Sequence, residues 1–347
     1  MDREEVAMSG LFRQTVDGAV VRVPPIWLMR QAGRYHTPYQ RLRARYAFED
    51  LCRRPELSAE VAMGPIDDFD FDAAILFSDL LFPLEALGFG LSYEAGPPKL
   101  DGRLTHERVA AFRPIEDAIE RLRFQREAMI ATRARLPKDK GLIGFVGGPW
   151  TLFVYAVEGT HAGPLADAKA SFDLYRAFAD RMVPLLVENI ALQFAGGADV
   201  VMVLDTAAGE LDPATFVRHE LGDLAALAHA YPGRLGYFAK GVKNSHSTRG
   251  LTTLPWAGVG LDSSADLTSS LTARGRSGFV QGNFDPDRLA GDRDCADSHL
   301  RSFLAPIRRL TPEERRGWIC GLGHGVLPRT PESNVRLFVD RVREAFA

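Results

Sequence analysis

Two arginines bracket a glycine in the segment RQAGRY, Arg30 and Arg34 around Gly33. A guanidinium stays charged at any working pH and presents a planar fork of donors that matches carboxylates and phosphates, so the ligand expected of such a pair is anionic. Other polar residues fall directly after short apolar runs: Ser78 and Asp79, Tyr155 within GGPWTLFVYAVEG, Asp205 and Thr206, Lys240, Asp262, Asn283 with Asp285, and His324 within GLGHG. Taken singly, each has a plain structural account. Loop arginines are commonly solvated or paired with surface acids. An aspartate after a strand often caps the next helix, which accounts for Asp262 and Asp285 and is an option for Asp79. A histidine between glycines is usually a turn residue. Their convergence on one end of successive strands favours a shared site.

The chemistry open to that site is narrowed by the motifs the chain lacks. No GxxxxGK phosphate loop, GxGxxG dinucleotide turn or HExxH metal pair occurs, so the expectation is no cofactor and no metal, with the reaction resting on substrate and side chains. Cys52, Cys295 and Cys320 are far apart and lack zinc-type pairing, which fits free thiols in a reducing compartment.

Strands must deliver these residues to one face. Apolar runs at Pro25–Met29, Ala73–Phe77, Leu142–Val146, Asp199–Leu204, Leu235–Ala239, Gly258–Leu261, Gly278–Gln281 and Trp318–Gly321 alternate with longer segments of helical periodicity. About eight βα units are what a closed parallel barrel requires, with its active-site cleft at the C-terminal ends of the strands. Phe178, Met182, Leu185, Leu186 and Ile190 form one helical face that stops at Gly196 and Gly197, with Pro184 expected to kink it. The last helix is expected to start at Thr330 as N-cap and Pro331 at its first position, presenting Val335, Phe338, Val339, Val342 and Phe346 on one stripe. The stretch from Gly88 to Leu104 reads as a turn-rich excursion between the second strand and its helix.

No repeat, low-complexity tract or linker divides the chain, so its 347 residues are expected to form one α/β domain, a single (β/α)8 TIM-type barrel over 1–347. The formal net charge of -3 gives no general attraction to nucleic acid. The N-terminus lacks the apolar core of a signal peptide, and no run of about 18 apolar residues could span a bilayer. The expected location is cytoplasmic, with no nucleic-acid or membrane partner.

The segment PIWLMRQAGRY resembles the N-terminal signature of uroporphyrinogen decarboxylases, and GFVGGPWTLFVYAVEG from Gly144 to Gly159 is similar to the family's second hallmark. ILFSDLL around Asp79, AGVGLD ending at Asp262, QGNFDP from Gln281 and GLGHGVLPRTPESNV from Gly321 extend the likeness over nearly the whole chain. The resemblance implies a (β/α)-barrel homodimer that converts uroporphyrinogen III to coproporphyrinogen III by four successive losses of carbon dioxide in heme and chlorophyll synthesis. It implies that Arg30 and Arg34 bind substrate carboxylates, that Asp79 faces the pyrrole nitrogens, and that Tyr155 and His324 line the cleft. Thr206 takes the position of the family's serine. The chain departs from the usual pattern at Ala207, at Ser263 after the GLD motif, at Gly321 before LGHG, and at His36 and Thr37 after RQAGRY.

This chemistry would suit those residues. Loss of carbon dioxide from an acetate leaves an electron pair that a pyrrole accepts once a ring carbon is protonated, and a carboxylate beside the pyrrole N–H groups offsets the charge that develops. Asp79 is the candidate for that role. Tyr155 and His324 would steer a propionate or assist proton transfer, and the donor of the ring proton stays open between Arg30 and a bound water. Two other functions compete. A zinc-dependent corrinoid methyltransferase of the same fold would need a His-x-Cys pair, and no histidine here has a cysteine two residues on. A tetrapyrrole-binding protein without turnover would need the arginines and not Asp79.

Overall fold

A computed structural model describes residues 10–93, 97–242, 251–274 and 278–347. Its centre is a curled parallel sheet of seven strands: β1 (Ala73–Ile75), β4 (Gly141–Gly147), β5 (Val200–Asp205), β6 (Leu235–Ala239), β7 (Gly258–Gly260), β8 (Phe279–Phe284) and β9 (Trp318–Leu322), paired in that order. A short antiparallel pair, β2 (Leu91–Ser92) and β3 (Lys99–Leu100), occupies the expected excursion after the helix Phe82–Leu87; residues 94–96 of that excursion lie outside the described residues. Each parallel crossover carries helical segments, as the rhythm of the sequence requires.

Alternation along the strands divides the core in two. Ala73, Ile75, Ile143, Val200, Met202, Phe238, Phe279 and Ile319 cluster on one face of the sheet with Trp27 and Met29, while Leu142, Val146, Val201, Val203 and Leu322 join the larger cluster beneath the helices. Phe12, from the helix Leu11–Val16, belongs to the first cluster and lies against Gly141, where an added Cβ would come within 2.2 Å of its ring. Only a glycine admits the phenyl group there.

Pro25–Met29, expected as the first strand, is not a regular strand. It makes one parallel bridge, Ile26 to Cys320 of β9, with Cys320 N–H donating to Pro25 O (2.8 Å) and Trp27 N–H to Cys320 O (3.1 Å). On its other side Asp72 N–H donates to Ile26 O at 3.0 Å. The reason is local. Pro24 and Pro25 have no N–H, and side chains take the next strand-like donors, Ile26 N–H going to the Asp72 carboxylate (2.6 Å) and Leu28 N–H to Gln31 (3.3 Å). Arg343 of the last helix also donates to Asp72, at 2.6 Å.

The helix Phe172–Ala195 runs unbroken through Pro184 and ends at Gly196, with Phe178, Met182, Leu185, Leu186 and Ile190 fully buried. The last helix spans Glu332–Phe346 and buries the expected stripe. Its cap differs from expectation: Pro331 is the N-cap residue, and the Thr330 hydroxyl is buried without a partner. Among the described residues, no helix is long and apolar enough to cross a membrane.

Candidate active site

A cavity of about 250 Å³ opens at the C-terminal ends of the strands. It is lined by Arg30, Asp79, Tyr155, Thr206 and His324, together with apolar walls from Met29, Ile75, Phe77, Phe145, Leu204 and Phe238. Five of the six expected site residues therefore meet in one space. Arg34 is the exception: it is exposed, does not line this cavity, and its carbonyl accepts from the Gln40 side chain at 2.7 Å. The two arginines of RQAGRY thus stand at different depths.

Each lining residue is held by identifiable contacts. Arg30 adopts a left-handed backbone (φ 58°), and its side chain passes so close to Gly325 that a Cβ there would lie 2.4 Å from Arg30 Cδ. Asp79 follows β1 and accepts Leu81 N–H at 2.8 Å, a local turn rather than a helix cap, since the helix Phe82–Leu87 begins without a side-chain cap. Tyr155 projects from the helix Pro149–Glu158, and that helix packs so tightly on β5 that a Cβ at Gly148 would lie 2.4 Å from Asp205 Cγ. Thr206 continues β5, and the next amide, Ala207 N–H, donates to Thr151 Oγ1 at 2.9 Å. His324 follows β9, with Gly323 fitted against Ser263 and its N–H bonded to Phe284 O (2.8 Å).

Burial shapes the protonation states. It raises the Asp79 carboxyl above the usual carboxylate range, with Leu81 N–H, Tyr93 and Arg30 opposing the rise. The Tyr155 hydroxyl is pushed up to about 12 by burial and by Asp79. His324 is pulled down to about 4 by burial, then by Arg30 and Lys240. At pH 7 the histidine is neutral and the tyrosine keeps its proton.

Asp285 caps the helix Pro286–Leu289 as expected. Asp262 does not cap a helix; it accepts from Ser264 N–H and from Gly241 N–H, tying the end of β7 to the end of β6. The departures at His36, Thr37 and Gly321 are accommodated too. His36 is buried with Nε2 2.7 Å from Asp68, Thr37 N–H donates to Glu332, and a Cβ at Gly321 would lie 2.4 Å from Trp27 O. His161, which no motif marks, pairs through Nδ1 with the Tyr155 hydroxyl, and Lys240 follows β6 directly. Among the described residues, no group of three or more His, Cys, Asp or Glu side chains could hold a metal ion.

The family model for uroporphyrinogen decarboxylase (URO-D) matches residues 9–345. The chain belongs to the uroporphyrinogen decarboxylase family. Curated members of that family include the uroporphyrinogen decarboxylase of Gloeobacter violaceus, 34% identical over 338 residues covering 92% of this chain and 93% of the relative. That of Tolumonas auensis is 32% identical, covering 96% and 95%. The Drosophila virilis enzyme is 31% identical, covering 94% and 92%. Among solved structures, a methyltransferase from Methanosarcina mazei superposes with a TM-score of 0.72 over 98% of this chain and 100% of its own. At 18% identity that likeness speaks for the fold alone. The uroporphyrinogen decarboxylase motifs, not the methyltransferase likeness, coincide with the cavity: RQAGRY supplies Arg30, ILFSDLL Asp79, the second hallmark Tyr155 and GLGHG His324.

Proposed function

We propose that this cavity is where the chain, a decarboxylase of tetrapyrrole biosynthesis, removes the four acetate carboxyls of uroporphyrinogen III to give coproporphyrinogen III. The observation that carries the reading is the meeting of Arg30, Asp79, Tyr155, Thr206 and His324, from the Pro25–Met29 segment, the ends of β1, β5 and β9 and one helix, around a single apolar-walled space. The macrocycle exceeds a cavity of about 250 Å³. One pyrrole with its acetate would enter, and the remaining rings would lie at the mouth, within reach of the exposed Arg34.

In each cycle a proton adds to the α ring carbon next to the one bearing the acetate chain, and positive charge spreads over the acetate-bearing carbon and the pyrrole nitrogen. The C–CO2 bond then breaks, its electron pair neutralises the ring, and a second protonation of the exocyclic methylene with loss of the ring proton leaves a methyl group. One proton is consumed for each carbon dioxide released. An ionised Asp79 about 4 Å from the cationic ring would interact by roughly 4 kcal/mol at an effective dielectric near 20, about three orders of magnitude in rate. Arg30 binds a carboxylate, and Tyr155, Thr206 and His324 orient the neighbouring side chains of the ring.

The same reading takes Pro25–Met29 as the eighth strand, closing one barrel domain between β1 and β9, in a cytoplasmic homodimer. The support for closure is the bonding of this segment to both neighbours and the place of Trp27 and Met29 in the inner cluster. Anaerobic incubation with uroporphyrinogen III tests the function: the expected products are the seven-, six- and five-carboxylate intermediates followed by coproporphyrinogen III. Tight binding without any loss of carboxylate would instead identify a tetrapyrrole carrier.

A further inference from the structure

The loop that follows the helix Pro149–Glu158 turns back toward the cavity and carries His161. Its Nδ1 lies 2.5 Å from the Tyr155 hydroxyl, and the two rings are 5.1 Å apart between centroids. Burial keeps the tyrosine protonated, so the hydroxyl donates, Nδ1 accepts, and the imidazole proton sits on Nε2. Lys240 follows β6 at the same face of strand ends, its backbone N–H donating to Asp205 O at 3.3 Å next to Thr206; it and Arg30 are the charged groups that act on His161, which in turn acts on His324. All of these neighbours are cationic or able to become so. Neither His161 nor Lys240 has a carboxylate partner among the described residues, although this chain forms ion pairs freely elsewhere. An imidazole and a lysine with Arg30 near them and no carboxylate partner suit an anionic group beside Tyr155.

We infer that His161 and Lys240 form a carboxylate subsite beside Tyr155, and that His161 takes a proton from solvent when a side-chain carboxylate of the substrate settles there. This rests on the reading of the cavity as the tetrapyrrole site. In the free protein, burial and the two cations hold the imidazole below its ordinary value. An arriving carboxylate shifts the balance by placing negative charge beside the imidazole, against the effect of Arg30 and Lys240. Protonation also reverses the Tyr155 bond: Nδ1–H now donates to the phenol oxygen, and the hydroxyl proton is free to turn toward the ligand. His161 is thus a positioning residue that sets the direction in which Tyr155 donates.

The test uses the full chain and the product coproporphyrinogen, whose four propionates bind without turnover. Calorimetric titration near pH 7, repeated in two buffers of different ionisation enthalpy, counts the protons taken up. The parent should take up protons on binding. His161→Gln, which keeps a partner for Tyr155 and cannot titrate, should take up measurably fewer and bind several-fold more weakly, the remaining uptake belonging to His324. Lys240→Met should weaken binding about tenfold, the worth of one charge-assisted contact. Arg30→Ala is the control. If His161→Gln and Lys240→Met match the parent in uptake and affinity while Arg30→Ala loses binding, the cavity stands and the subsite is refuted. If Arg30→Ala also binds as the parent does, the cavity reading falls and takes the subsite with it.

Discussion

Thr151 donates its hydroxyl to Asp205 Oδ1 at 2.5 Å, joining the first turn of the helix after β4 to the end of β5. Thr151 Oγ1 in turn accepts Ala207 N–H at 2.9 Å, and Asp205 Oδ2 accepts the Tyr237 hydroxyl at 3.0 Å. The turn that presents Thr206 to the cavity is therefore held by a buried network rather than by backbone bonds alone.

Thr151→Val keeps the shape and removes the hydroxyl, leaving Ala207 N–H and one Asp205 lone pair without a partner. The expected cost is about 1–3 kcal/mol of stability, with a fall in kcat/KM as Thr206 loses its support. Thr151→Ser should recover both. Melting curves and steady-state rates on the three proteins decide, and parental kinetics in the valine variant would detach the network from function.

Asp79→Asn preserves an acceptor for Leu81 N–H, so the fold should melt as the parent does. A neutral amide cannot offset a cationic ring, and turnover should drop by about two orders of magnitude or more. The carboxyl is raised by burial, so the parental rate should fall on the acid side through a value above the ordinary carboxylate range. A single-turnover pH profile that keeps falling only below pH 4, or near-parental turnover in the variant, would remove Asp79 from the mechanism.

Arg30→Ala and Arg34→Ala should differ, because only Arg30 lines the cavity. Removing Arg30 is expected to lower kcat/KM by about two orders of magnitude, affecting both terms. Removing Arg34 should raise KM about tenfold with kcat nearly unchanged, as for a contact made equally in ground and transition states. Equal losses in kcat for the two variants would show that the inner and outer positions are wrongly assigned.

Glu220 is fully buried against Asp205, and burial together with the Asp205 carboxylate raises it well above its ordinary value. A raised folded value means that the stability it contributes is complete below its unfolded pKa and is lost as pH rises toward the folded one. Glu220→Gln imitates the protonated carboxyl and carries no such loss. The melting temperature of the variant relative to the parent should climb between about pH 5 and pH 8, by at most about 1.4 kcal/mol per pH unit. A difference that stays flat across that range would mean Glu220 is ionised in the fold.

Most of what positions the site could be read from residue order. Seven of the eight apolar runs are strands, because buried parallel strands need continuous apolar sequence, and residues after three of them line the cavity, Asp79, Thr206 and His324, whereas Lys240, Asp262 and Asp285 do not. What stayed hidden depends on contacts distant in the chain. Pro25–Met29 reads as a strand by composition, yet Asp72 and Gln31 capture its amides. Glu220, in RHELGDLAAL, looks like any solvent-facing helical glutamate until Asp205 and Tyr237 surround it. His161 sits in a loop without periodicity, and the spacing of RQAGRY does not reveal that Arg30 turns inward while Arg34 turns out.

The bond between Arg343 and Asp72 has a bearing on the order in which the chain is made. Asp72 holds the amide of Ile26, so the Pro25–Met29 segment is fastened through a residue that the final turn of the helix Glu332–Phe346 helps to hold in place. A ribosome must release Arg343, 271 residues after Asp72, before that clasp can close. Until then the seam beside β1 would be an open edge, and loss of the Arg343 side chain should loosen Pro25–Met29 before the helix that carries it.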